Sequence, residues 1–126
     1  MKFKTLMIIK SVVCLCLGVP ILLAPIFLYS LFGTSLNPGG VFAAREYGAS
    51  LIGNLMLTWF ARNAIESEAR RAIIIGLCVY DAIGFVVTLI AQIAGVLGPL
   101  GWFAMAIYLF FAIGFGYFLL PQKKVA

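Results

Sequence analysis

Among the few acidic residues of this chain, Asp81 is the one that interrupts a long apolar run. Burying an ionised carboxylate alone is costly, so in such a run it must bind a proton or cation, or pair with another group. On a helix beginning at Ala72 it lies roughly 14 Å along the axis, near the middle of a bilayer core about 30 Å thick. In the preceding apolar run Glu46, Ser50, Asn54 and Thr58 recur every fourth residue, which gives a slowly drifting polar stripe on a helix. Asp81, Thr88 and Gln92 share one broad face of the next. Counting depth from the polar loop between the two runs brings Asn54 within about a turn of Asp81. The two stripes are therefore expected to face one another. Arg45 and Glu46 are adjacent in sequence, and neighbours on a helix project about 100° apart, so they do not make a self-contained ion pair. Arg45 is expected to snorkel to headgroups or water, and Glu46 is a candidate to receive a cation or to pair with a partner protein. Asp81, Asn54, Glu46, Arg45 and Gln92 are thus the candidate polar site at membrane depth.

Other chemistries lack their residues. Histidine is absent, which removes His-ligated metals, bis-His haem and His-based acid–base catalysis. Cys14, Cys16 and Cys78 all sit in apolar segments. Cys14 and Cys16, two apart on a helix, point in different directions, so free buried thiols are expected and not a metal pair or disulfide framework. Gly98-Pro99-Leu100-Gly101 leads to no lysine of the kind a phosphate-binding loop requires. The expectation is no catalytic residue, no cofactor and no metal.

The elements that must carry these residues follow from composition. Of 126 residues, 64% are hydrophobic and 10% are charged; soluble domains carry about 25% charged residues. The formal charge of +5 comes from basic residues in short clusters between apolar runs, not from a patch suited to nucleic acid. The chain reads as a single all-α domain, an integral membrane four-helix bundle with spans at about 11–31, 41–61, 72–94 and 102–120. Helices are required because lipid offers backbone groups no hydrogen-bond partners. Asn37-Pro38-Gly39-Gly40 and Gly98-Pro99 mark turns, and residues 62–71 form a polar loop. Pro20 and Pro25 are expected to kink the first span. That span is longer than a signal-peptide core and is expected to be retained. Small residues at Ala44, Gly48, Ala49, Gly53, Ala72, Gly76, Ala112 and Gly116 are expected to let helices approach closely.

Lys2, Lys4, Lys10, Arg62, Arg70, Arg71, Lys123 and Lys124 fall on one side of a four-span chain, leaving only Arg45 of the nine basic residues on the other. Both termini are therefore expected in the cytoplasm, and the basic start suits a prokaryotic inner membrane. In size and span plan the chain resembles the small multidrug resistance transporters. Their essential carboxylate lies in the first span, where this chain has none, so no residue is carried over. Membrane-bound relatives of glutathione transferase share the four-span plan, but Arg45-Glu46 and Asn54 do not spell their signature.

Two functional expectations result. The first is a non-enzymatic structural or accessory protein that packs on itself or on a larger membrane complex, in which Asn can replace Asp81. The second is a small proton- or cation-coupled transporter that needs Asp81.

Overall fold

The computed structural model describes residues 1–120 and is all-helical. Five helices follow in order: α1 (Phe3–Leu23), α2 (Pro25–Leu31), α3 (Pro38–Phe60), α4 (Glu68–Ile93) and α5 (Leu100–Leu119). Of these, α1, α4 and α5 are long and apolar enough to cross a membrane. At 23 residues α3 is as long, but Arg45, Glu46, Ser50, Asn54 and Thr58 make it more polar. The pair Lys123 and Lys124, assigned by charge to the cytoplasmic side, lies outside the described residues.

Local chemistry sets the helix ends. Pro25 has no N–H to continue α1 and pushes Ala24 out of helical geometry, to φ −141° and ψ 62°. The first apolar run is thus two helices, with Pro25 opening the second and Pro20 accommodated inside the first. Asn37 caps α3 by accepting from the Gly40 N–H at 2.6 Å, with Pro38 at the first helical position. Ser67 caps α4, accepting from the Arg70 N–H at 3.2 Å. The helices α2 and α4 end alike. Gly33 (φ 74°) and Gly95 (φ 76°) take the left-handed conformation that lets the next two N–H groups fold back on the last carbonyls. Thr34 then donates to the Tyr29 carbonyl, and Val96 to the Ala91 carbonyl, both at 3.0 Å.

Those two loops meet. The Gly98 N–H donates to the Phe32 carbonyl at 2.6 Å, and the Thr34 hydroxyl donates to the Val96 carbonyl at 2.6 Å. A Cβ on Gly98 would stand 3.3 Å from the Phe32 oxygen, so a bare backbone is what allows the loops to abut.

Packing divides the bundle into two antiparallel pairs, α1 with α3 and α4 with α5. Ala44, Gly48 and Leu51 seat α3 on α1. At Gly48 the fit leaves no room, since a Cβ would lie 2.9 Å from the Leu22 backbone nitrogen. The pairs join where α1 lies against α4 and α5, through Phe3, Leu6, Met7, Ile74, Leu77, Phe111 and Phe115. Leu6 fits against Gly114, where a Cβ would come within 3.0 Å of it. Buried residues on α1 recur as Phe3, Leu6, Met7, Lys10, Ser11, Cys14, Gly18 and Ile21, a single stripe at helical spacing.

The expected pairing of the two polar stripes does not occur. Between α3 and α4 lies a groove of about 460 Å³ lined by Ser50, Asn54, Leu57, Ala72, Gly76 and Tyr80. The close approach at Gly48 and the hydroxyl of Thr58 draw α3 onto α1 instead. Gly53 and Gly76 have nothing within 4 Å of a would-be Cβ, so these two small residues do not serve helix contact.

Candidate functional site

Asp81 sits halfway along α4 and is 0% exposed. Its partner is a residue that the reading of charged clusters had placed at the membrane edge. Lys10, 3% exposed, projects from α1 and donates from Nζ to Asp81 Oδ1 at 2.5 Å. The stripe on α1 explains the difference: Lys10 stands one turn beyond Leu6 and Met7, in phase with buried residues and not with the exposed Lys2 and Lys4. A charge-assisted bond at this distance offsets the desolvation of both groups, and neither is tolerable at that depth without the other. The ammonium also lies 4.5 Å from the Phe111 ring centroid and 5.2 Å from that of Tyr80, within cation–π range.

At the very next residue of α1 a second polar contact joins it to α3. Ser11 and Thr58, both buried, share a hydroxyl–hydroxyl bond of 2.7 Å. One hydroxyl gives its proton to the other, and the one that accepts it donates its own to a carbonyl of its helix, that of Met7 for Ser11 (2.9 Å) or of Asn54 for Thr58 (2.8 Å). Lys10 and Ser11 are neighbours, and through them α1 holds α4 on one side and α3 on the other.

Three tyrosines complete the centre. The Tyr47 and Tyr108 hydroxyls are hydrogen-bonded across the bundle, from α3 to α5. The Tyr80 ring lies 6.5 Å from that of Tyr108. Together with Lys10 and Asp81 these rings border a cavity of about 140 Å³ between the helix pairs. Its remaining wall is largely apolar, including Leu17, Ile21, Leu28, Leu51, Leu97 and Ile107.

The other candidates lie elsewhere. Asn54 is half-buried on the α3–α4 groove and does not bond Asp81. Gln92 holds the α4–α5 turn, donating from Nε2 to the Gly98 carbonyl at 3.3 Å, and its side chain lies against Gly101. Arg45 and Glu46 are both exposed and form no ion pair among the described residues. Of the five expected site residues only Asp81 is in the central cluster; Lys10, Tyr47, Tyr80 and Tyr108 are the members that sequence reasoning passed over. The signal for Lys10 was present in the α1 stripe. The tyrosines carried none, because an aromatic on an apolar helix is ordinarily packing. Cys14 is buried, Cys16 exposed and Cys78 half-buried, each a free thiol.

The chain matches no protein-family model, no curated protein and no solved structure. Geometry alone therefore bears on its function. The cavity brings together one cation, one anion, the phenols of Tyr29, Tyr47, Tyr80 and Tyr108 and the thiol of Cys14, and the described residues hold no group of metal ligands.

Proposed function

We propose that this protein is a four-span membrane protein with a non-enzymatic structural or accessory role, in which Lys10 and Asp81 tie one helix pair to the other. Three of the spans are α1, α4 and α5, and α3 is the fourth, antiparallel to α1. Lys2, Lys4, Arg62, Arg70 and Arg71 gather at one end and Arg45 stands at the other, which favours cytoplasmic termini and suits a prokaryotic inner membrane. Lys10, buried, leaves that count. Broad exposed apolar faces, such as Ile83, Val86, Val87 and Ile90 on α4, suit lipid, a second copy or a larger membrane complex.

The observation that carries this reading is the Lys10–Asp81 pair, which gives the carboxylate an intramolecular partner. It also changes what the reading expects of mutants. Asp81→Asn is no longer innocuous, because it leaves an unpaired ammonium in the apolar centre. The test is the exchange Lys10→Asp with Asp81→Lys, followed by thermal unfolding in detergent beside proton release on cation addition. A structural tie survives the exchange with a midpoint near that of the wild type, and the wild type releases no proton.

A proton- or cation-coupled transporter is the second reading, favoured by the second Asp81 oxygen, Oδ2, which has no hydrogen-bond partner. It requires proton release by the wild type, lost in a well-folded exchange variant. That result would displace the structural role.

A further inference from the structure

The side of α3 that faces away from the bundle is poorly suited to lipid. Its buried face, with Ala44, Gly48, Leu51 and Thr58, lies against α1. On the opposite face Phe42, Glu46, Ala49, Gly53, Met56 and Phe60 are all exposed and follow one another at alternating spacings of four and three residues. That is the spacing of a seam along which two helices wind around each other. Nothing in the chain covers it at Gly53, where a Cβ would meet no atom within 4 Å. Among the long helices described, α3 is also the one whose composition falls short of what a lone span needs.

Charge narrows what could cover this face. Arg45 borders the seam beside Glu46, and neither side chain has an ion-pair or hydrogen-bond partner among the described residues. On a span that begins near Val41, Glu46 lies more than one turn inside, and its stem is too short to snorkel as the arginine can. A lone cation at Glu46 would also face Arg45, and an anionic headgroup at Arg45 would also face Glu46. A matching partner must bring both an acid and a base to one depth. A second copy of this chain does so.

We propose that this face of α3 is the interface of a two-fold dimer in which the α3 helices of two copies lie side by side. Copies inserted under one charge rule point the same way, so the helices are parallel and the axis runs along the membrane normal. A two-fold contact is self-complementary: Glu46 meets the partner's Arg45, and Arg45 meets the partner's Glu46. In a parallel seam the residue just before an inward position borders the hole that the facing inward side chain fills, which is the place Arg45 holds beside Glu46. The two glutamates that approach the axis are thus each matched by an arginine. Ala49 and Gly53, small and exposed, let the backbones close together further along. The dimer deepens the proposed structural role by naming its partner, and it rests on α3 being a span.

Sedimentation equilibrium of the full chain in density-matched micelles tests this. The wild type should show a monomer–dimer equilibrium. Arg45→Glu and Glu46→Arg, each of which sets like charges against themselves across the axis, should each weaken association about tenfold or more. Mixing the two variants should restore it, because an acidic face then meets a basic one. Gly53→Leu, at a position that touches nothing in its own chain, should weaken association while leaving the fold intact. The dimer is overturned if the wild type stays monomeric, or if the mixture associates no better than either charge variant alone. It is equally overturned if a wild-type dimer is weakened by none of these changes, which would assign the contact to another face, such as Val87 and Ile90 on α4. Labelling of Ser35→Cys and Asn63→Cys by a membrane-impermeant maleimide in sealed vesicles separates the two readings. Access from opposite sides with a monomeric chain overturns the dimer alone; access from one side removes the α3 span and the dimer with it.

Discussion

Along α3, Gly48 lies so close to α1 that a single added carbon would meet the Leu22 backbone, whereas Gly53, five residues on, has nothing within 4 Å of the same position. Both are glycines on one helix, and composition does not distinguish them. The first belongs to a closed side of the bundle, where α1 is gripped by α3, α4 and α5. The second belongs to an open side, where a groove separates α3 from α4 although the two are consecutive in sequence. Chain order set the antiparallel direction of these helices, but it did not decide which ones pack. That was decided by where small residues and buried hydroxyls let backbones come together.

The sharpest way to break this contrast is at the ion pair on the closed side. Lys10→Met alone should destabilise the folded chain by about 3–5 kcal/mol, because Asp81 is left charged and unpaired. Adding Asp81→Leu should recover most of that loss, as replacing both partners of a buried pair by apolar residues often does; denaturant titration in micelles reads both. Additive losses in the double variant would deny the pairing. Next in size is Gly48→Ala, expected to cost about 1–3 kcal/mol from overpacking against backbone that cannot move aside. The identical change at Gly53 is the control on the open side. It should be neutral or raise stability by about 0.5–1 kcal/mol, through lost freedom of the unfolded chain and better helix propensity. Equal effects at the two glycines would erase the distinction between the sides.

Smaller still is Ser11→Ala, which removes the hydroxyl bond to Thr58. Interhelical hydrogen bonds in bilayers average about 0.6 kcal/mol, and a loss near that value is expected in a double-mutant cycle with Thr58→Val. At the bottom of the scale Arg45→Ala and Glu46→Ala, both exposed, should move stability by no more than about 0.5 kcal/mol. A large loss at either would point to a partner that covers this end of α3.

How far the sequence carries depends on what each residue announces. Apolar runs, Asn37-Pro38 and the Gly98-Pro99 turn placed α3, α4 and α5 within a few residues of where they are, since periodicity, capping and backbone restriction are local, whereas α1 begins at Phe3, well before the expected start at 11, and ends at Leu23. Asp81 was conspicuous as a charge within an apolar run and proved fully buried. Lys10 was misplaced because its charge was read as the boundary of a run, when its spacing from Leu6, Met7 and Cys14 put it on the buried stripe. Asn54 was matched to Asp81 by depth alone, and depth says nothing about which helix lies beside which. The cavity was out of reach altogether, for it depends on side chains from all five helices lining one space.

The 71 positions separating Lys10 from Asp81 also impose an order of events on biosynthesis. At synthesis rates of about 5–20 residues per second, the lysine exists for several seconds before its counter-charge has been made. The first helix must therefore enter the bilayer with a cation that has nothing yet to bond. Seven residues from the start of α1, Lys10 is near enough to the surface for its long stem to keep the ammonium among headgroups meanwhile. Only with the arrival of α4 does the ammonium gain its carboxylate, so the packing of α1 on α4 is completed late in synthesis.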